Sequence, residues 1–251
     1  MLHSRFRSRL SALLMLSGAF LYCSASSGIA QEAQKSSGHA ISYGNVRLAG
    51  YRKITASLAG IHIVGTDTVF ELRAKDHVLH RLHADDIRVS PTGSGYEGEL
   101  NGNVHYTQLQ TPGDNKLIDG TADRALYKQS DAKQPDAKQS GAKQDATVTL
   151  IQAHTSLFRD GKEIGTLDAG QVVASQTDET ITGTGAVRIT ARTDGRHAEV
   201  TADKIIWNRR SNTLEASGKA HISYIGPDKK DAVADADHIK IDLKSLEVEI
   251  E

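Results

Sequence analysis

A short pattern recurs through the chain and constrains its fold more than any other feature. Each copy opens on Ala-Asp, passes through a turn, and closes on glycine, any residue, and a small or apolar residue. The openings are Ala84-Asp85, Ala122-Asp123, Ala202-Asp203 and Ala236-Asp237, with a degenerate copy at Ala169-Gly170. The closings are Gly44-Asn45-Val46, Gly102-Asn103-Val104, Gly185-Ala186-Val187 and Gly218-Lys219-Ala220. Such repetition predicts an array of similar supersecondary units.

The stretch from Ala198 to Tyr224 indicates what is repeated. It predicts a strand over 200–207, a polar turn over 208–212 and a second strand over 213–224. The second strand alternates, and its apolar face carries Leu214, Ala216, Gly218, Ala220, Ile222 and Tyr224. A period of two is typical of a strand with one buried face, and a glycine at a fixed place inside it indicates a bend or bulge. No sustained helical stripe follows the N-terminal region, so the predicted fold class is all-β, with antiparallel strands in a repeat array.

Composition excludes several classes of function. The chain of 251 residues has 30 Lys+Arg against 31 Asp+Glu, and this balance argues against a nucleic-acid partner. Its one cysteine, Cys23, excludes an internal disulfide and any Cys-x-x-Cys metal or redox site. No cofactor is therefore predicted, and no catalytic constellation points to an enzyme.

Residues 1–30 are predicted to form a secretory signal peptide. A basic start with Arg5, Arg7 and Arg9 precedes a largely apolar stretch, and Gly28-Ile29-Ala30 fits a small-x-small cleavage site. An uncleaved membrane anchor is the alternative, because no charge lies between Leu10 and Ala30. Residues 31–251 are then a periplasmic domain, either free or held at the inner membrane.

Residues 128–144 interrupt the repeat. This segment contains three copies of the sequence Ala-Lys-Gln, lacks large apolar residues and includes Pro135 and Gly141. We interpret it as a disordered insertion in a hairpin, since both flanks look like strands. A linker between two domains is the alternative.

Several motifs suggest chemistry at first sight. The run from Gly93 to Gly98 matches a dinucleotide-binding pattern, but strand-like sequence follows it where a helix is required. His77, His80 and His83 are spaced by three, yet on a strand His80 points away from the other two. We therefore predict ordinary surface histidines, with a shared metal site as the alternative.

Other polar and aromatic residues have simple structural interpretations. The acidic pairs Asp85/Asp86 and Asp235/Asp237 are predicted to lie on solvated strand edges, since no nucleophile stands beside them. Trp207 is predicted to anchor the core or its rim, with a sugar platform as the alternative. Arg209-Arg210 is predicted to be a solvated turn, with contact to an anionic head group as the alternative.

The leader, the Ala-Asp openings and the Gly-x-Val closings together resemble the OstA-like family of periplasmic lipopolysaccharide-transport proteins. This family includes the LptA bridge and its membrane-anchored partner LptC. The best match runs from Ala202 to Trp207 and from Leu214 to Ala220, followed by Leu100 to His105. The resemblance covers about His39 to Glu251, while the insertion and the Ala169 copy depart from the pattern.

The resemblance implies a β-jellyroll folded like a taco, whose apolar groove holds the acyl chains of lipid A. In this chain the groove would be lined by Leu214, Ala216, Ala220, Ile222, Ile206 and Val104. It also implies end-to-end docking of sheet edges, with other Lpt-type jellyrolls or with a second copy. A membrane-anchored LptC-like component and a periplasmic β-repeat scaffold without lipid are the alternatives.

Overall fold

The computed structural model describes residues 33–34, 40–43, 46–57, 59–74, 77–92, 95–109, 115–130, 145–175, 178–193, 196–225, 231–245 and 247–250. These residues form a sheet of 15 strands and no helix, as the alternation predicts. The strands are Ala33–Gln34 (β1), Ala40–Tyr43 (β2), Val46–Ala49 (β3), Lys53–Ser57 (β4), Gly60–Ala74 (β5), His77–Thr92 (β6), Gly95–Leu109 (β7), Lys116–Ser130 (β8), Asp145–Arg159 (β9), Lys162–Ser175 (β10), Thr180–Thr193 (β11), Arg196–Asn208 (β12), Thr213–Ile225 (β13), Asp231–Asp242 (β14) and Glu247–Ile250 (β15).

Each strand from β5 to β14 pairs antiparallel with the strands next to it in sequence. At the N-terminal edge, β3 and β4 together cover one side of β5, one on each half of that strand. Then β2 pairs with β3, and β1 with β4. At the other edge β15 pairs with the last part of β14. The sheet is therefore open, and its strands from β5 to β14 are joined as successive hairpins.

A line of bulges, the bend row, crosses the sheet through the middle of the long strands. At three places a Gly-x pair with positive φ lies opposite one aspartate of the next strand: Gly102-Asn103 opposite Asp123, Gly185-Ala186 opposite Asp203, and Gly218-Lys219 opposite Asp237. Such bulges bend a strand and increase its twist. The predicted link between the repeated glycines and a bend is confirmed at these positions.

The bend row divides the sheet into two arms. Arm I contains the strand halves that lead into the turns 209–212 and 243–245, and arm II contains those that lead into the turn 160–161. The rings of Phe70 in arm II and Tyr127 in arm I lie 5.1 Å apart, although their strands, β5 and β8, are not neighbours in the sheet. The inner faces of the arms thus pack on one another and form a single apolar core.

Two sequence predictions fall wholly or partly outside this description. Residues 1–30, with the predicted signal peptide or anchor, are outside the described residues, as are 131–144 of the predicted insertion. The flanking strands β8 and β9 pair directly, Ser130 with Asp145, as expected for a hairpin. Strand β8 includes residues 128–130, the first three residues of the predicted insertion. In the part of the chain that is described, no helix is long and apolar enough to cross a membrane.

Candidate functional site: the apolar interior

Two continuous rows of inward-facing residues line the interior. In arm I the row runs across ten strands by direct pairing, from Ile63 on β5 through Ile87, Leu100, Ala125, Leu150, Val172, Gly183, Ile205 and Ala216 to Ile239 on β14. In arm II an equivalent row runs through Phe70, Leu82, Tyr106, Gly120, Thr155, Leu167, Ile189, Val200, Ile222 and Ala234. The lining is therefore continuous from β5 to β14 and is apolar except at Thr155.

The structure brings five of the six predicted groove residues to this interior. Leu214 and Ala216 belong to arm I, whereas Val104, Ala220 and Ile222 belong to arm II, and all five are buried in the core. They come from both arms because the strands bend between them. The alternation predicted for 213–224 is confirmed at each of the four residues on that strand.

Ile206 is the exception and corrects the prediction. It pairs directly with Glu215 on one side and with Thr182 on the other, so it lies on the outer, polar face of arm I. Its neighbours Ile205 and Trp207 point inward. Three apolar residues in a row hide the alternation, because a strand turns every second side chain to the opposite face.

The interior is closed to solvent in this structure. Leu214 and Ala216 have no exposed surface, and Ile222 is only 2% exposed. Trp207 is buried in the same core, as predicted for an anchor. A solvent-filled groove is therefore absent around these described residues, and any long ligand would have to separate the arms in order to enter.

The free ends of the arms meet along a line that we call the seam. Arg159 at the end of β9, in arm II, donates from Nη1 to the backbone carbonyl of Leu243 in arm I, at 3.0 Å. Arg196 at the start of β12 donates to the carbonyl of Ser245 in the same way. These are side-chain bonds to turn carbonyls between segments 84 and 49 residues apart, and they are of a kind that can break without disturbing the strand ladder.

The recurring aspartate has a structural role at the bend row. The carboxylate of Asp85 accepts hydrogen bonds from the backbone N–H of Asp67 at 3.2 Å and from the side-chain amide of Asn103 at 2.6 Å. It thereby joins the bends of β5, β6 and β7. Asp86, its neighbour, instead pairs with His62 at 2.7 Å on the outer face. Neither acid faces a nucleophile in the described structure.

The three spaced histidines separate as the strand geometry requires, but one is not on the surface. His83 contacts Asp67 on the outside and His77 is exposed, whereas His80 is 1% exposed and faces the interior. The prediction of surface histidines is therefore wrong for His80, which shares its face with buried Leu82. Within the described residues, no three His, Cys, Asp or Glu side chains are placed to hold one metal ion.

His80 and Tyr106 form a buried polar pair in the apolar interior. Nδ1 of His80 lies 2.8 Å from the phenol oxygen of Tyr106, and the two rings stack with their centroids 5.9 Å apart. Burial lowers the pKa of His80 to about 3, with a further contribution from the positive charge of Arg209. Burial also raises the pKa of Tyr106 above its ordinary value. Both groups are therefore neutral at physiological pH.

Arg209 and Arg210 have different surroundings, although the sequence predicts one solvated turn for both. Arg210 is exposed and pairs with Glu179 at 3.0 Å, as expected of a solvated turn. Arg209 is half-buried, and burial lowers the pKa of its guanidinium. Its Nε is buried and has no hydrogen-bond partner among the described residues. Arg209 thus points from arm I toward the buried pair of arm II.

Both ends of the array keep exposed apolar residues. Ile41 on β2 is 36% exposed at the N-terminal edge. At the other edge Val233 on β14 is 64% exposed and Ile250 on β15 is 49% exposed. Among the described residues, 231–237 of β14 hydrogen bonds to β13 alone and presents an open backbone edge.

Comparison with known proteins does not assign this chain to a family. No protein-family model matches the chain, and no curated protein matches its sequence.

Proposed function

We propose that this protein is a periplasmic carrier for lipopolysaccharide, with an OstA-like β-jellyroll that shields the lipid A acyl chains between its two arms. The observation that carries the proposal is the pair of largely apolar rows, which continue through every strand from β5 to β14. A continuous apolar lining suits a ligand that is long and flexible rather than compact.

The composition of the rows supports the same function. Small residues recur in them, including Gly183, Ala216 and Gly120, and leave less volume to be displaced than large side chains would. The seam is the natural entrance, because side-chain bonds such as that from Arg159 hold it, while every strand from β5 to β14 keeps its ladder. Separation of the arms along the seam would expose the lining.

The open edges support transfer between proteins. An unpaired edge with exposed Val233 can accept a strand from another Lpt-type jellyroll or from a second copy, which would extend the lining from one protein into the next. Proteins that act as monomers usually protect such edges. A free carrier and an anchored, LptC-like component differ in whether residues 1–30 are retained.

A periplasmic β-repeat scaffold without lipid is the second candidate. The observation that favours it is the closed interior, in which Leu214 and Ala216 have no exposed surface. A packed core needs no ligand to be stable.

Mass spectrometry of the protein purified from its native host tests the two functions against each other. Co-purification of lipid A-type acyl chains is expected for the carrier, and a protein without lipid after gentle extraction supports the scaffold. N-terminal sequencing of the same sample decides between a start near Gln31 and a retained leader.

A further inference from the structure

The interior holds several buried polar atoms whose hydrogen bonding is incomplete among the described residues, on Thr68, Gln108, Trp207 and His80, and Gln108 pairs with His80 across the strands. Nε2 of His80 is buried and has no partner among the described residues. Because Tyr106 remains a phenol, its O–H can donate to Nδ1 of His80, and this arrangement leaves a single unpaired group in the pair. In this tautomer the neutral imidazole carries its proton on Nε2. A buried N–H donor without an acceptor is destabilising, so an acceptor at this position would be stabilising.

A second unpaired donor approaches from the opposite arm. The buried Nε–H of Arg209 lacks a partner in the described part of the chain, and its backbone N–H is engaged with the carbonyl of Glu179 at 3.0 Å. The guanidinium is near enough to His80 and Tyr106 for its charge to act on both. The carboxylate of Glu179 acts on the charge of Arg209 and is also paired with Arg210.

Arg209 also differs from the arginines of the outer face. Arg47, Arg81, Arg88, Arg124, Arg188 and Arg210 each form an ion pair with a carboxylate. Arg209 forms none with the described residues, although it is half-buried and burial lowers the pKa of its guanidinium. A half-buried guanidinium that shares its neighbouring acid with a second arginine attracts a further anion, and phosphate and carboxylate match its planar fork of donors.

We propose that Arg209 and the Nε2–H of His80 bind the anionic group, a phosphate or a carboxylate, of an amphiphile whose chains enter the interior at the seam. This inference rests on the proposed carrier function and adds a head-group site to it. Arg209 lies on the turn between β12 and β13, where polar surface borders the core. An amphiphile bound there places its charge at the boundary and its chains on the apolar rows.

The experiment uses the fluorescence of Trp207, the one tryptophan of the chain, which is buried two residues before Arg209. The full chain is titrated with decyl phosphate, with neutral decyl maltoside, and with inorganic phosphate, below the micelle concentration. Arg209→Gln and Arg209→Lys are compared with Arg188→Gln, a control at an exposed arginine that pairs with Glu199 on the outer face. Circular dichroism melts establish that each variant is folded, and ³¹P line broadening reports phosphate binding independently of tryptophan.

Decyl phosphate is expected to bind the wild type at least tenfold more tightly than decyl maltoside. Arg209→Gln should lose this preference, Arg209→Lys should retain part of it, and Arg188→Gln should keep it. Equal binding of both decyl compounds would overturn the head-group site and leave the carrier function standing, whereas binding of neither would overturn the carrier function. Inorganic phosphate binding as tightly as decyl phosphate would assign the site to a free anion and overturn the amphiphile. Equal losses in Arg209→Gln and Arg188→Gln would show a general effect of surface charge and also contradict the site.

Discussion

The carboxylate of Asp85 accepts a hydrogen bond of 2.6 Å from the side-chain amide of Asn103, across the bulge between β6 and β7. Asn103 has a φ of 48°, so this bond holds a residue in a left-handed conformation that its own backbone disfavours. The same carboxylate holds the N–H of Asp67, another left-handed residue with a φ of 60°. One acid therefore fixes two bends.

Asp85→Ala is expected to lower the free energy of unfolding by about 2 kcal/mol, because two hydrogen bonds to a charged acceptor are lost. Urea denaturation measures the change. Asp123→Ala is the matched control, since Asp123 holds the same repeat position, is exposed and accepts no hydrogen bond from the described residues. Equal effects of the two substitutions would contradict the role assigned to Asp85.

Gly218→Ala should destabilise the bend between β12 and β13. Its φ is 76°, and a Cβ placed there would stand 3.0 Å from the Cβ of Asp203. The left-handed conformation alone costs an L-residue about 1–2 kcal/mol. Thermal melts should show a clear decrease in midpoint, whereas Ser217→Ala, one residue earlier, should leave it nearly unchanged. A melt of Gly218→Ala that matches the wild type would mean that the bend does not require glycine.

Ile222→Asp should abolish lipid binding and reduce stability, because Ile222 is only 2% exposed and a buried carboxylate costs several kcal/mol. Lys219→Asp, on the exposed side of the same strand, should leave both properties nearly intact. Photo-crosslinking to lipopolysaccharide, run beside circular dichroism melts, measures the two effects. Ile222→Thr is a milder variant that keeps the crosslinking test usable if the aspartate variant does not fold. Equal loss of crosslinking in Ile222→Asp and Lys219→Asp would reverse the assignment of the faces.

Stability should decrease in mild acid through His80. In the unfolded chain this histidine titrates near 6.5, whereas burial lowers its folded pKa to about 3. Between these values the unfolded state binds the additional proton, so the contribution of His80 is complete above pH 6.5 and is lost as the pH falls toward 3. Urea unfolding at a series of pH values should show that the free energy of unfolding depends less steeply on pH in His80→Phe than in the wild type. His77→Gln, at an exposed histidine of the same strand, should keep the wild-type dependence on pH.

Removal of the seam contacts should ease separation of the arms. Arg159→Ala and Arg196→Ala each delete a bond to a carbonyl of the 243–245 turn. Amide exchange should accelerate at the N–H of Leu243, which bonds to the carbonyl of Asn212 at 2.8 Å. Amides of the central ladder, such as that of Leu150, should exchange at the wild-type rate. Faster exchange in both places would indicate global destabilisation instead of opening at the seam.

The sequence predicts the bends wherever a glycine marks them and misses them elsewhere. Gly102, Gly185 and Gly218 are visible because glycine adopts positive φ readily. Asp67 and Gln152 occupy the same row on β5 and β9 with φ values of 60° and 51°, yet their identities carry little signal. The neighbouring strands impose the conformation at these positions through register. Tertiary context therefore completes a row that local propensity defines only in part.

The candidate site also has some features that the sequence predicts and others that it does not. Because alternate residues of a strand share a face, His80 lies on the same inner face as Leu82. The alternation of the sequence was therefore sufficient to predict the burial of His80. The seam could not be predicted, because Arg159 and Arg196 bond to backbone carbonyls, which every residue possesses. Arg209 and Arg210 are identical in type and adjacent, and only the meeting of the arms gives them different surroundings.

The open sheet leaves the number of repeats free to vary. A closed barrel fixes its strand number through shear and tilt, whereas each unit here touches the units next to it and the arms close by packing. Each additional strand lengthens the interior by about 4.8 Å. Duplication or loss of one hairpin would therefore change the length of the apolar interior without altering its cross-section. The length of the interior can thus evolve through the number of repeats.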